Sequence, residues 1–183
     1  MANGKQQGPG ADIRPGSIDS HNVLSIRHIG PYNQVDPTWH KLIAMASAEG
    51  ISLSSAQMIG IVYDNPAVTP PERIRYDACI SVPDTHVKQL QASVAQKSPS
   101  DARLQTIHGG SAVVKVHQGD YKDLIHAYTD AFQHFAFESR ADMLPAAAPP
   151  YYEFYKNHPS VTPSAELITE IHFPTRAQTA PSR

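Results

Sequence analysis

The chain has 183 residues, a formal charge of −2 and 40% hydrophobic residues, enough for one well-buried domain or a fused pair of small halves. The near-neutral balance lacks the basic field on which a nucleic-acid binder working alone relies, and no apolar run approaches the roughly 20 residues that span a bilayer. The single cysteine, Cys79, has no partner within the chain; this fits a reducing, cytoplasmic setting, and Cys79 itself reads as a small buried strand residue.

Residues 1–20 are rich in Gly, Pro, Gln and Ser and lack the apolar segment of a signal peptide, so they read as a flexible tail. A strand over 22–32 ends at Gly30-Pro31, and a helix follows from about Asp36 with Pro37 in its first turn. Trp39, Leu42, Ile43 and Ala46 recur at helical spacing, and Gly50 closes that helix. A strand over 57–66 runs into the turn Asp64-Asn65-Pro66. Over 73–82, Ile74, Tyr76, Ala78, Ile80 and Val82 alternate with Arg75, Asp77, Cys79 and Ser81, the period of a half-buried strand.

The stretch 84–110 reads as a connector holding a loop or short helix. A strand over 111–121 comes next, then a helix on which Tyr121, Leu124, Ile125, Tyr128, Phe132 and Phe135 share a face. "PYYEFYKN" and "AELITEIHF" supply two more strands. The last residues, 176–183, read as a second tail.

The order repeats. His28-Ile29-Gly30-Pro31-Tyr32 and His117-Gln118-Gly119-Asp120-Tyr121 both fit His-x-Gly-x-Tyr at a strand-to-helix corner. Val68-Thr69-Pro70 and Val161-Thr162-Pro163 mark matching turns. Tyr63 stands 35 residues after His28, and Tyr155 stands 38 after His117. These correspondences predict an α+β fold of two duplicated β-α-β-β units related by a pseudo-twofold axis: repeat one at about 22–83, the connector, then repeat two at about 111–174. One unit alone leaves its sheet half uncovered. Two together form a curved antiparallel sheet around a central ligand groove, in a domain spanning 21–175.

The copies differ on one strand. Period two puts Tyr151, Glu153 and Tyr155 on one face, with Tyr152 and Phe154 on the other. Aligning Tyr155 with Tyr63 sets Glu153 against Ile61, a carboxylate where the other half keeps an aliphatic side chain. An unpaired buried carboxylate costs several kcal/mol or takes up a proton, whereas a cation held over aromatic rings gains roughly 0.5–2 kcal/mol per ring. A carboxylate walled by tyrosines therefore suits flat, lipophilic, cationic molecules. The other reading of Glu153 is a solvated strand residue, or one paired with a neighbouring Lys or Arg.

Tyr63 and Tyr155 either line the two ends of the groove or pack strand ends. Trp39 either stacks on a ligand or joins the core. Glu170 and His172 share a strand face that either reaches the groove floor or meets solvent. Tyr32 and Tyr121 read as corner residues. The ten histidines form no metal-ligand motif, so neither metal nor other cofactor is expected.

In order, "HIGPY", "IGIVYDNP", "RYDACISVP", "GGSAVVKVHQGDY", "YYEFYKN" and "ELITEIHFP" resemble the GyrI-like effector-binding domain family over about 23–174. The resemblance implies the duplicated α+β fold, a ligand groove, and Glu153 as its central acidic residue. It also implies three functions found among relatives. The first is binding of drug-like molecules, as in the effector domains of AraC- and MerR-type regulators. The second is hydrolysis of reactive cyclopropane-type toxins, with Glu153 as the catalytic group. The third is modulation of DNA gyrase. The expected partner is a lipophilic or cationic small molecule, with Glu153, Tyr151, Tyr155, Tyr63, Ile61, Trp39 and Glu170 as its contacts. Neither nucleic acid nor membrane is expected, and gyrase or a second copy stands as a further partner.

Overall fold

A computed structural model describes residues 12–96, 101–140, 143–145 and 149–175. β1 (Ile13–Ile18) and β2 (His21–Ile29) lead into α1 (Asp36–Ala48), β3 (Met58–Val62) and β4 (Arg75–Ser81). α2 (Asp84–Gln96) and β5 (Ala102–Ile107) follow, then β6 (Gly110–Gln118), α3 (Leu124–Phe137), β7 (Tyr151–Tyr155) and β8 (Ile168–Pro174). The eight strands form one antiparallel sheet in the order β1-β6-β8-β7-β3-β4-β2-β5. Outward from the central β7-β3 seam, β7-β8-β6-β1 takes the same places as β3-β4-β2-β5. The α+β class expected from the sequence is the class observed.

The two His-x-Gly-x-Tyr corners are built alike. Gly30 and Gly119 carry φ of 146° and 141°, a backbone state that a Cβ strains. Each glycine N–H donates to the strand opposite, to Ile74 O and Leu167 O at 2.9 Å in both cases. The His28 and His117 rings bond the carbonyls of Pro31 and Asp120 at 3.2 and 3.1 Å. Tyr32 and Tyr121 then each open a short 3-10 turn. The chain reversal is thus set locally, and each corner is followed by one tyrosine.

Connectivity forces the sheet to curve. Only Asp19 and Ser20 join β1 to β2, yet six inter-strand steps separate them in the sheet, about 29 Å if flat. Three Cα steps reach about 11 Å at most. His108 and Gly109 make the same short jump from β5 to β6. The sheet must roll until both edges come together, and Ile18 at the end of β1 packs in the same buried cluster as Ile107 at the end of β5. Rings three strands apart then approach on the inner face: His21 and Phe154 lie 5.9 Å apart.

The inner face packs Ile18, Val23, Ile59, Ile61, Cys79 and Phe154 into one buried cluster. The outer face carries the helices. α1 and α2 bury Leu42, Ala46 and Leu90 with Leu24, Ile26, Tyr76, Ala78 and Ile80. α3 buries Ala127, Ala131 and Phe135 with Val113, Ile171 and Phe173.

Two expectations change. Residues 13–18, read as tail, form β1: its Gly and Pro weaken the local strand signal, but an edge strand tolerates both, and pairing with β6 supplies the order. The connector holds a thirteen-residue helix, α2, and an edge strand, β5. Val87, Leu90 and Val94 supply the apolar stripe of that helix, spaced three and four apart. Residues 1–11 and 176–183, both read as tails, lie outside the described residues. Among the described residues no helix is long and apolar enough to cross a membrane.

Candidate functional site: a carboxylate in a tyrosine cage

β3 and β7 meet with Gly60 directly opposite Glu153. α1 packs over β2 and β4, and α3 over β6, so the β3-β7 seam between them is roofed by aromatic side chains. Strand alternation aims Tyr151, Glu153 and Tyr155 at this outer face, as expected. Glu153 is only 6% exposed.

Both carboxylate oxygens accept from tyrosines. Tyr128 on α3 donates to Oε1 at 2.9 Å, and Tyr155 donates to Oε2 at 2.5 Å. The Tyr155 hydroxyl also meets that of Tyr76 on β4 at 2.8 Å. Gly60 makes this possible: a Cβ there would sit 2.4 Å from the Tyr76 hydroxyl. Tyr155 is gripped edge-on by Trp39 of α1 at 5.6 Å and by Tyr121 at 5.2 Å. Tyr32 stands edge-on to Tyr76 at 6.1 Å. Tyr151 extends the wall toward α3, 6.4 Å from Tyr128 and 5.8 Å from Phe132.

The electrostatics follow from what is present. Burial pushes the Glu153 carboxyl above the usual carboxylate range, and the Tyr155 and Tyr128 hydroxyls only partly offset this. Among the described residues no cationic side chain contributes. Burial and the nearby carboxylate raise the phenols in turn, Tyr121 to about 12, with Tyr76, Tyr128 and Tyr155 pushed well up. These tyrosines are neutral donors at any physiological pH. The cage is a buried acid lined by rings and hydroxyls, without a counter-ion among the described residues.

Of the residues singled out from sequence, Glu153, Tyr151, Tyr155 and Trp39 come together here. Ile61, Tyr63 and Glu170 do not. Ile61 is buried in the inner-face cluster. Tyr63 donates to the buried Asp77 at 2.8 Å on that same inner face. Glu170, also inside, is bonded by Arg14 at 3.0 Å and approached by Lys156 at 3.4 Å.

The discrepancy is a one-residue slip. Alignment on Tyr63 and Tyr155 paired Glu153 with Ile61, and in a strand a slip of one exchanges the faces. The Val-Thr-Pro turns, 93 residues apart, carry the signal that corrects it: the same offset takes Glu153 to Gly60. Sequence reasoning missed Tyr128, Tyr76 and Gly60, and it read Tyr32 and Tyr121 as corner residues alone. A surface cavity of about 280 Å³ between Ser20, Asn22, Ser52, Ser81 and Asp84 lies apart from the cage.

A rolled α+β sheet whose central seam holds a ringed, unpaired acid defines a domain for small-molecule ligands. The chain belongs to the GyrI-like family: the model of the GyrI-like small molecule binding domain matches residues 17–176. It is similar to a DNA gyrase inhibitor of Citrobacter koseri, 28% identical over 143 residues, covering 76% of this chain and 83% of that protein. Its fold is similar to the C-terminal domain of EcmrR, with a TM-score of 0.64, 21% identity, and coverage of 88% of this chain and 95% of that one. Against the EcmrR chain in its complex with DNA the TM-score is 0.63 at 20% identity, and the match covers 88% of this chain but 56% of that chain.

Proposed function

We propose that this protein binds lipophilic cations at the β3-β7 seam, with Glu153 as the charge partner and Trp39, Tyr121, Tyr128, Tyr151 and Tyr155 as the aromatic walls. The supporting observation is a buried carboxylate whose bonds, among the described residues, come from neutral hydroxyls. Such a group gains most from a ligand that brings its own positive charge and a flat apolar body. A neutral ligand leaves the acid uncompensated, and an anion is repelled. We place this activity in the cytoplasm, where an unpaired, buried Cys79 stays reduced. Hydrolysis, for which the resemblance implies the same Glu153 as catalytic group, and gyrase modulation draw chiefly on the family and on relatives' names.

The test is a fluorescence titration of the full chain with ethidium, an aromatic cation of fixed charge. Saturable binding is expected, weakened at least tenfold by Glu153→Gln, with a neutral aromatic of similar shape binding both forms alike. Equal ethidium affinity in the variant rejects the assignment.

A further inference from the structure

We infer that a cation entering the cage takes the place of a proton on Glu153, so that ligand binding is coupled to proton release. This rests on the cation reading above. Each element around the carboxylate presents a group that carries no positive charge. α3 supplies the Tyr128 hydroxyl and β7 itself that of Tyr155, with Tyr76 of β4 bonded behind Tyr155. The two corners supply Tyr32 and Tyr121, both close enough to feel the carboxylate charge. α1 supplies Trp39 against Tyr155. Across the seam β3 offers Gly60, and across the other side β8 offers Ile171.

An empty cage therefore favours the neutral carboxyl more than water does, and its O–H can donate into the Tyr155–Tyr76 hydroxyl chain. A bound cation stabilises the carboxylate instead, and the proton leaves for solvent. Burial already lifts the affinity of Glu153 for that proton. By linkage, cation affinity rises up to tenfold per pH unit below the folded pKa of Glu153 and levels off above it. Tyr155 and Tyr128 act here as positioning residues, because each hydroxyl favours the ionised form and so sets where the plateau begins.

The experiment is isothermal calorimetry of the full chain with ethidium at several pH values, in paired buffers of unlike ionisation heat. Close to one proton released per cation is expected on the acidic side of the profile, falling to zero on the plateau. Tyr155→Phe and, as a milder variant, Tyr128→Phe should move the plateau to higher pH. Glu153→Gln should bind weakly with no proton exchange. Wild-type binding that is independent of both pH and buffer overturns this inference while leaving the cation site standing. Absence of ethidium binding at every pH overturns the site itself.

Discussion

Glu153 shows how one side chain can be set against the stability of its own fold. Burial holds its folded pKa above the ordinary value of about 4.3. Below that ordinary value the group is protonated both folded and unfolded, and it costs nothing. As pH climbs toward the folded value, the unfolded chain ionises freely while the cage resists. The folded state loses stability across that window, up to the pH at which the caged carboxyl itself ionises. Glu153→Gln removes the charge and keeps one acceptor oxygen for Tyr128 or Tyr155, while its amide NH2 donates to the other hydroxyl. It should stabilise the empty protein at pH 7 by about 1–3 kcal/mol, each kcal/mol worth about 2–4 °C for a domain of this size. Near pH 3.5 the gain should vanish. Calorimetric melts of both forms across pH check this, and a pH-independent gap would assign the effect to packing. A stabilising substitution that also costs ligand affinity is what a strained binding residue predicts.

At the scale of elements, the same sheet places two carboxylates in corresponding positions and treats them differently. Asp77 on β4 accepts from Arg27 of β2, Arg103 and Gln105 of β5, and Tyr63 just past β3, so it ties four adjacent strands. Burial pushes its carboxyl up, but the hydrogen bonds from Arg27 and Tyr63 and the charge of Arg103 outweigh this and hold it low. Its stabilisation is therefore present above the ordinary carboxylate range and is lost as pH falls through the lowered value. Glu170 on β8 meets Arg14 of β1 and Lys156 just past β7 in the matching places, but the Glu170 side chain is 20% exposed, whereas Asp77 is fully buried. Asp77→Asn should cost about 3 kcal/mol or more, because it strands two guanidinium groups. Glu170→Gln should cost about 0–1 kcal/mol. Urea melts at pH 7 separate the two. Asp77 also shows what sequence makes legible. Its strand, its face, α1 and both glycine corners are local patterns, and they were readable. Arg103 was not, because it comes from a stretch whose strand exists only through pairing with β2. Tyr128 and Tyr76 were assigned to the correct faces of their own elements, but nothing local says that α3 and β4 point those hydroxyls at one carboxylate.

The whole molecule depends on closing a long sheet with two links of two residues each. Rolling brings the edges together and buries an inner face that none of the described helices covers. That face must carry its own packing, so side chains on the edge strands weigh more than their position suggests. Ile18 ends β1 in a stretch whose composition reads as tail, yet it is 5% exposed and packs in the same cluster as Ile107 of β5, Val23, Ile59 and Phe154. Ile18→Ala should cost about 2–4 kcal/mol. Val161, 82% exposed in its turn, provides the control, with Val161→Ala within about 0.5 kcal/mol of wild type. Denaturant midpoints measure both, and an unchanged slope would show that the edges loosen without opening a separate unfolding step. The cage lies on the opposite face at the central seam, so ethidium affinity of folded Ile18→Ala should match wild type. If Ile18→Ala proves as neutral as the control, the edge junction is not what holds the curve, and curvature must come from the packing of the helices outside it.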